Sequence, residues 1–369
     1  MRIVLTVPSL DRVFGGPARK APELASALRT RGHQVRLFGA GNPAGFESGA
    51  EGLGVRGRFH ATPVPARTGP LRRAIAGAEI VHVLGFRDPV GTTAALAARR
   101  HSVPMIFEPV GMLEPRVRSA TLKRTFDISV GHLVVAGASL VVAASAVEAA
   151  DLATAGIERG RVRVRPNGVD FARLLPLPAR GPLRSRLGIP LDAPLVVTLA
   201  RIGAIKGLVD MAHAVDGIPG VHWLLAGPNE RDGTLTRTRA VSPRERTTIC
   251  VDGLWSEDAR AALAEADLLC VPSAYESFGT VAAEAAGCGV PVVITDRCGA
   301  KGVLGDVAHL VPAGDPTALR VVIAQILTDL PAARAAAESA AAAIREALSW
   351  GRLATVQTEI YDAARRMLR

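Results

Sequence analysis

The sequence predicts an α/β protein with two Rossmann-like domains, each built on a parallel sheet. Apolar runs of strand character alternate with helical patterns along all 369 residues, which is typical of parallel α/β sheets. The same strand–loop–helix order starts again after a proline-rich stretch at 171–190, where we expect the linker between the domains. The chain length also favours two domains of ordinary size. We therefore expect one domain over 1–175, a second over 176–350, and a last helix over 351–369.

The first half follows the order of a parallel sheet with covering helices. A buried strand at 3–7 leads through Gly15-Gly16-Pro17 into a helix that ends near residue 31. Residues 41–70 are rich in Gly, Pro and Arg and are expected to form a loop. The other expected elements are strands at 34–38, 79–84, 105–107 and 140–144, and helices at 122–136 and 147–155. The run at 161–165 leads into a turn at Pro166-Asn167-Gly168.

The second half repeats this alternation. The polar stretch 228–246 is expected to be a flexible loop, and Ser256 to cap a helix that reaches residue 266. The other expected elements are strands at 195–199, 221–226, 248–251, 268–271, 292–295 and 308–311, and helices at 208–215, after residue 279, at 315–330, at 331–348 and from 351. Sheets of this kind bind ligands at the carboxyl ends of their strands, so we expect a site in the cleft between the domains.

The composition excludes several classes of protein. No apolar run is long enough to span a membrane, and the first residues enter a strand pattern directly, so we expect no membrane span and no signal peptide. The four cysteines lack metal-ligand spacing and are expected to be free thiols in a reducing cytoplasm. The expected location is therefore cytoplasmic.

The positive charge of the chain is concentrated in its first half. Residues 1–180 carry 25 Lys and Arg against 13 Asp and Glu, whereas residues 181–369 carry 19 against 21. Such a basic face attracts nucleic acid, anionic lipid or a phosphorylated acceptor, or is simply a solvated surface. Aromatic residues make up only 4% of the chain and no nucleic-acid motif is present, so we expect no nucleic acid. Peripheral contact with the inner face of an anionic membrane is an open alternative.

The most informative stretch is PSAYESFGTVAAEAAGCGVPV at 272–292. Glu276 precedes the expected start of an Ala-rich helix at Gly279, and Glu284 lies about one turn inside that helix. A helix start presents free N–H groups and a positive dipole end, which suits a phosphate. The carboxylates suit sugar hydroxyls. This layout therefore suits a nucleotide sugar.

Two cations strengthen this interpretation. Arg201 and Lys206 follow the expected strand at 195–199 in the segment ARIGAIKG. A forked Arg and a compact Lys a few residues apart at a strand's carboxyl end are placed to hold a diphosphate. Alone the pair is weak evidence, because most such pairs are solvated surface charges.

Three positions in the first half are candidates for ligand contact. Gly16 lies in a glycine pair that lets backbone approach a ligand closely, or that simply forms a strand–helix turn. Asp11 follows the first strand and is a candidate acceptor contact. His82 lies in an apolar run, where a histidine is more often a core residue than a catalyst. The Gly-x-Gly at 39–41 leads into a loop, so we reject a dinucleotide site there.

These motifs resemble those of glycosyltransferases with the GT-B fold, and more narrowly the retaining, metal-independent glycosyltransferase family four. The resemblance covers nearly the whole chain. Its segments are PSAYESFGTVAAEAAGCGVPVV, ARIGAIKGL, LLAGP, VDGLW, VRPNGVD, GGPARKAPELASALRTRGHQV and FEPVGMLEPRVRSATLKR. Trp350 and the last helix resemble the tail that crosses back onto the first domain. The resemblance implies two Rossmann-like domains that face each other across a cleft.

The resemblance implies transfer of a sugar from a nucleoside-diphosphate sugar to an acceptor hydroxyl, with the α configuration kept. It assigns Arg201 and Lys206 to the leaving diphosphate and Glu276 to the sugar hydroxyls. Preorganised positive charge then does the catalytic work, so no metal and no cofactor are expected. A front-face mechanism, in which the leaving phosphate helps take the acceptor proton, fits the lack of an obvious base.

The resemblance also assigns residues that bind the donor. Backbone N–H groups of Phe278, Gly279 and Thr280 hold phosphate and sugar, Glu284 binds the ribose hydroxyls, and Gly16 lets the first domain close over the diphosphate. We expect the acceptor to be a glycan, a lipid carrier or a natural product.

The chain departs from the family at two positions. Val110 stands where many members have a histidine before the glycine of the G-M-L segment, and Leu84 stands where many have a second histidine after the one at His82. These positions normally face the sugar or the acceptor. Apolar residues there suggest a donor that lacks a polar group, such as a 6-deoxy sugar. A sugar-nucleotide 2-epimerase or a phosphorylase of the same fold is an alternative, although the first needs cleft acids or bases and the second a cofactor lysine.

Overall fold

The computed structural model describes residues 1–11, 16–42, 49–59, 62–113, 126–242, 244–251 and 257–367. The chain divides into two compact units. The first consists of Met1–Gly168 with Trp350–Arg369, and the second of Val169–Ser349. Both are α/β units with parallel sheets, which confirms the expected fold class. Among the described residues, no helix combines the length and apolarity needed to cross a membrane.

The first unit contains a sheet of seven strands among its described residues. Counting a separate pair, the strands of this unit are β1 (Arg2–Ser9), β2 (Gln34–Ala40), β3 (Ala50–Gly52), β4 (Gly57–Phe59), β5 (Thr62–Val64), β6 (Ile80–Leu84), β7 (Met105–Glu108), β8 (Leu140–Ala143) and β9 (Val162–Val164). The sheet order is β3-β2-β1-β6-β7-β8-β9, while β4 and β5 form a separate antiparallel pair. The strand order reverses between β1 and β6, so the loops after these strands lie at a topological switch point.

Helices cover both faces of this sheet. They are α1 (Gly16–Thr30), α2 (Gly69–Ala76), α3 (Pro89–Arg100), α4 (His132–Gly137), α5 (Ala146–Thr154) and the C-terminal helix (Trp350–Arg366), with a π-turn at Asp127–Gly131 and a 3-10 turn at Arg159–Arg161. One core joins α1 and the C-terminal helix to the sheet, and another joins α2 and α3 to its other face. The C-terminal helix is also held at its start, where Trp350 Nε1 donates to Glu23 Oε2 at 2.9 Å.

The second unit contains six parallel strands among its described residues, in the order β12-β11-β10-β13-β14-β15. They are β10 (Leu195–Leu199), β11 (His222–Ala226), β12 (Thr247–Cys250), β13 (Leu268–Val271), β14 (Val292–Thr295) and β15 (Ala308–Val311). This is the 3-2-1-4-5-6 order of a doubly wound nucleotide-binding sheet, and the order reverses between β10 and β13.

The helices of this unit pack on both faces of its sheet. They are α6 (Phe171–Leu174), α7 (Pro182–Leu187), α8 (Leu208–Asp216), α9 (Thr234–Val241), α10 (Glu257–Glu265), α11 (Thr280–Gly287), α12 (Lys301–Leu304), α13 (Pro316–Thr328) and α14 (Leu330–Ala347), with 3-10 turns at Ala204–Lys206, Arg244–Arg246 and Gly305–Val307. The buried side chains of α8 and α13, such as Met211 and Ile323, share one core with the sheet.

The boundary between the units falls at 168/169 rather than at 175/176. The segment after it belongs to the second unit because it packs against other residues of that unit. The Phe171 ring occupies the space that a Cβ on Gly287 would need. Farther on, Arg184 Nη2 lies 3.0 Å from Asp267 Oδ2, and both side chains are buried. The proline-rich stretch is therefore part of a folded unit and not a free linker.

Two expected loops contain regular structure. Residues 41–70 include β3, β4 and β5, three strands of three residues each, which are too short to show a periodic pattern. The stretch 228–246 contains α9, whose buried residues are Thr234 and Thr238. A helix that buries threonines has no apolar stripe in its sequence, so the 3.6-residue pattern was missing. The expected helix at 122–136 is described from residue 126 onward, and Ser256 lies outside the described residues.

Candidate functional site

Lys206 and Glu276 form an ion pair at the carboxyl edge of the second sheet. Lys206 Nζ lies 2.5 Å from Glu276 Oε1. Lys206 ends the 3-10 turn after β10, and Glu276 lies in the loop after β13. The strand order reverses between these two strands, and doubly wound sheets bind their ligands at that point. The pair therefore stands where a ligand of this unit is expected.

Backbone contact between the two loops brings these side chains together. Gly207 has φ 61°, and a Cβ on it would overlap the carbonyl oxygen of Pro272. The Ala274 N–H donates to the Ile205 carbonyl at 2.9 Å. A residue with a side chain at 207 would push the loops apart, so the glycine is a requirement of the close approach.

Glu276 is held on several sides. Ser273 Oγ donates to Glu276 Oε1 at 3.0 Å, and the Glu276 N–H donates to the Arg297 carbonyl at 3.2 Å. The Gly299 N–H donates to the Glu276 carbonyl at 3.0 Å. The carboxylate keeps 20% of its surface exposed and the Lys206 side chain 13%. The pair is thus fixed in position but still reachable by a ligand.

Arg201, the other expected cation, pairs with a different carboxylate. Its Nη1 donates to Oε1 of Glu230, in the loop after β11. The Arg201 side chain is 55% exposed and that of Glu230 is 21% exposed. Each cation of the candidate site therefore has a carboxylate partner of its own.

The start of α11 is shaped by a left-handed turn. Gly279 precedes the helix with φ 92°, and a Cβ on it would lie 2.5 Å from Cys298 Sγ. The Phe278 ring is buried, and its carbonyl accepts from the Ala300 N–H at 2.5 Å and from Cys298 Sγ at 3.3 Å. Thr280 is the first helical residue. The backbone of 278–280 is thus locked at a helix start, which is where an anion is favoured.

Glu284 lies one turn further along α11 and is 5% exposed. Burial, followed by the negative charge of Glu284, raises the pKa of Cys288 to about 11. Cys288 is therefore a protonated thiol at neutral pH. Glu284 therefore lies in the helix that begins at the 278–280 backbone.

Two candidates of the first unit lie near the end of β1. Asp11 is exposed, and its N–H donates to Ser9 Oγ at 3.1 Å. Gly16 is the first residue of α1, and a Cβ on it would meet no atom within 4 Å. Gly15 lies outside the described residues. The open space around Gly16 means that packing inside the unit does not require a glycine there.

His82 lies in the core of the first unit and not at a surface that an acceptor could reach. Its side chain is fully buried, its Nδ1 is 2.8 Å from Tyr361 Oη, and its Nε2 is 3.1 Å from Glu108 Oε2. Burial lowers the pKa of His82, so the ring is neutral at neutral pH. The structure therefore favours the core interpretation of His82. Leu84, two residues on, is also fully buried, so it cannot shape the donor preference by contact.

Glu108 is the centre of the polar cluster around His82. One oxygen accepts from Lys20 Nζ, and the other lies 2.7 Å from Arg165 Nη2. Burial opposes its charge, but the cations of Arg165 and Lys20 hold the pKa of Glu108 well below its usual range. Burial lowers the pKa of Lys20 to about 8. Because each buried charge has an opposite partner, the cluster ties β6, β7 and α1 together.

Val110 is held in an unusual backbone conformation. It has φ 52°, which is rare for a β-branched residue. The next residue, Gly111, donates its N–H to Glu148 Oε1, and Glu148 Oε2 accepts from the Ala144 N–H at 2.7 Å. Burial raises the pKa of Glu148 to about 7. The backbone at Gly111 is therefore fixed by a buried carboxyl group of α5, and the rest of the G-M-L segment from residue 114 to 124 lies outside the described residues.

Comparison with known proteins shows the family to which this chain belongs. The family described as glycosyl transferases group 1 matches residues 180–343, and the glycosyl transferase 4-like domain matches residues 15–168. A D-inositol 3-phosphate glycosyltransferase of Thermomonospora curvata is 30% identical, over 93% of this chain and 89% of the relative. The chain is a family-four glycosyltransferase. It is thus an enzyme, and the match favours this class over the epimerase, phosphorylase and nucleic-acid-binding alternatives.

Other relatives of the glycosyltransferase agree with this assignment. A D-inositol 3-phosphate glycosyltransferase of Xylanimonas cellulosilytica is 29% identical, over 93% of this chain and 90% of the relative. The structure of Anabaena Alr3699/HepE in complex with UDP-glucose superposes with a TM-score of 0.78 at 18% identity, and the match covers 98% of this chain and 99% of that one. The structural likeness confirms the GT-B fold.

Some residues of the candidate site were not indicated by the sequence patterns. They are Gly207, Glu230, Asp232 and Ser273. Glu230 and Asp232 stand after the expected strand at 221–226, and their position at a strand's carboxyl end was a usable signal. Ser273 directly precedes the Glu276 loop. The importance of Gly207 depends on its contact with Pro272, and no local pattern shows that contact.

Proposed function

We propose that this glycosyltransferase transfers a sugar from a nucleoside-diphosphate sugar to an acceptor hydroxyl, with retention of configuration and without a metal ion. The Lys206–Glu276 ion pair carries this proposal, because it stands at the switch point of the second sheet. A cation suits the leaving diphosphate, and a carboxylate suits the hydroxyls of the transferred sugar.

The chemical demand is the negative charge that develops on the departing diphosphate. Lys206 supplies a positive charge that is already in place and only 13% exposed, so its field is weakly screened. Arg201 and the start of α11 add positive potential at the same sheet edge. Groups that need no reorganisation at the moment of reaction stabilise the transition state most effectively. This supports a metal-independent reaction.

Glu276 orients the sugar in this proposal. Lys206 and Ser273 both contact Oε1, so we assign Oε2 to the sugar hydroxyls. Glu284, one turn inside α11, is assigned to the ribose hydroxyls, and the backbone of 278–280 to the phosphate. The roles of these groups follow the family resemblance.

For the acceptor we propose an anionic molecule that carries a free hydroxyl. The excess of Lys and Arg over residues 1–180 supports this, as do the relatives named D-inositol 3-phosphate glycosyltransferase. An anionic acceptor in solution and one in a membrane share the same charge. Sedimentation with anionic phospholipid vesicles separates the two, since only a membrane-borne acceptor requires the enzyme to bind vesicles.

Thermal-shift screening against UDP-, GDP-, ADP- and dTDP-sugars tests the donor. A ligand at 100 times its Kd adds about 2.7 kcal/mol to the free energy of unfolding, so the right donor raises the melting temperature clearly. Stabilisation by none of the four, at millimolar concentration, would overturn the proposal. With the donor known, NMR of the product reports the anomeric configuration, and an inverted product refutes retention. The same assay compares turnover with a hexose donor and with its 6-deoxy analogue, and a clear preference for the hexose contradicts a 6-deoxy donor.

A further inference from the structure

We propose that Glu230 is a positioning residue that holds the Arg201 guanidinium ready for the donor diphosphate. This inference rests on the proposed function, since it assigns a role within the same donor site. The observation that motivates it is the ion pair between Arg201 Nη1 and Glu230 Oε1. An ion pair at the protein surface is usually weak, so the effect of this pair on Arg201 depends on how Glu230 itself is held.

The backbone of Glu230 is docked on the loop that carries Arg201. The Glu230 N–H donates to the Ile202 carbonyl at 3.0 Å, and the Ile202 N–H donates to the Pro228 carbonyl at 2.8 Å. Ile202 and Asn229 also form a parallel bridge. The loop after β11 therefore extends the sheet pairing past the end of β10, and Glu230 keeps a fixed position relative to the residue after Arg201.

The side chain of Glu230 fits a space left by a glycine. A Cβ on Gly203 would overlap the Glu230 carboxylate, so the carboxylate lies against the backbone of that loop. The Ala204 N–H donates to Asp232 Oδ2 at 2.8 Å, which ties the same two loops at a second point. The Glu230 carboxylate is thus held against the loop at Gly203. Of the two side chains in the ion pair, the long Arg201 side chain is the one that needs to be oriented.

The guanidinium keeps donors for a second anion. Arginine has five N–H donors in a planar fork, and the pair with Glu230 uses Nη1. The Arg201 side chain is 55% exposed, compared with 21% for Glu230. An exposed arginine without an anchor loses rotamer freedom when it binds a ligand, and this loss weakens binding. Glu230 removes part of that loss before the diphosphate arrives.

Isothermal titration of UDP, GDP, ADP and dTDP into the wild type and its variants tests this role. We expect Glu230→Ala to raise the Kd of the bound nucleotide by about threefold to tenfold, the range expected for one side chain that must be ordered on binding. Glu230→Gln keeps an acceptor for Nη1 and is expected to recover most of the affinity. In an Arg201→Ala background the Glu230→Ala change should have no further effect, because coupling disappears when one partner is absent.

A matched control is Asp258→Ala, which removes a carboxylate 2.7 Å from Arg186 Nη2, a surface pair whose arginine is 56% exposed. It should leave the nucleotide Kd unchanged. Tighter nucleotide binding by Glu230→Ala would show that Glu230 competes with the phosphate, and would overturn the inference. The inference would also be overturned if Glu230→Ala lowered the affinity as much in the Arg201→Ala background as in the wild type. A wild type that binds none of the four nucleotides contradicts the proposed function itself, so the two failures are distinguishable.

Discussion

Lys206 Nζ lies 2.5 Å from Glu276 Oε1, although 70 positions separate the two residues in the chain. The contact joins the loops that follow β10 and β13, the strands between which the sheet order reverses. It therefore places a cation and a carboxylate at the point where sheets of this topology bind nucleotides. In the family-four glycosyltransferase we assign the first to the leaving diphosphate and the second to the transferred sugar.

Lys206→Ala should lower kcat by about a hundredfold to a thousandfold, the loss typical of removing one preorganised group that stabilises transition-state charge. The free energy of unfolding should also fall, because the Lys206 side chain is only 13% exposed and its loss leaves the Glu276 carboxylate without its cation. Steady-state kinetics with the identified donor and denaturant unfolding measure the two quantities. Unchanged kcat would refute the assigned role of Lys206.

Gly207→Ala should destabilise the second unit and impair activity together. The backbone at 207 has φ 61°, which costs an alanine about 1–2 kcal/mol, and the added Cβ overlaps the Pro272 carbonyl oxygen. Gly302→Ala is the matched control, since it is exposed, lies in α12 and has open space around its Cβ position. It should be neutral or slightly stabilising. If Gly207→Ala and Gly302→Ala had the same melting temperature and the same turnover, the close approach of residue 207 to Pro272 would not require a glycine.

Tyr361→Phe should lower stability without affecting catalysis. The change removes the hydroxyl 2.8 Å from His82 Nδ1 and leaves a buried ring nitrogen without this partner, which costs about 1–3 kcal/mol. Denaturant unfolding measures the loss, and kinetics well below the melting temperature should give a wild-type kcat. A tenfold fall in kcat with the fold intact would show that His82 contributes to the reaction as well as to the core.

Glu148→Gln should change how stability depends on pH. Burial raises the pKa of Glu148 to about 7 from an ordinary 4.5. Between these values the folded protein keeps a proton that the unfolded chain releases, so this group stabilises the fold at low pH and the stabilisation is lost as the pH rises through about 7. Glutamine does not titrate. The free energy of unfolding of the wild type relative to Glu148→Gln should therefore increase as the pH falls from 7 to 4.5. Denaturant unfolding at stepwise pH checks this, and parallel pH profiles would contradict it.

Much of the second unit and of its site could be predicted from the sequence. Arg201, Lys206 and Glu276 each follow an apolar run of strand character. Parallel strands direct their carboxyl ends to one edge, so polar residues after such runs converge whatever their separation along the chain. Both the alternation and the family motifs pointed to the same fold, and the fold and family are confirmed.

Other features could not be predicted because their cause is distant in the chain. The helix α9 depends on burial of Thr234 and Thr238, which a search for apolar periodicity overlooks. The boundary at 168/169 depends on the packing of the Phe171 ring against Gly287, which is more than 100 positions away in the chain. Short strands such as β3 exist because a neighbouring strand supplies their hydrogen bonds.

The pairing of charges shows this limit most clearly. The sequence alone indicated that Lys206 and Glu276 would share one sheet edge. Apolar periodicity is a local property that indicates each strand, and parallel strands direct their carboxyl ends to one edge. The sequence did not indicate that Arg201 would pair with Glu230, or that His82 would meet Glu108 and Tyr361 in the core. Those contacts join elements far apart in the chain, and they form only once the apolar faces of helices and strands have packed. Local burial patterns therefore select the elements, and the packing of those elements selects the partners of each charged side chain.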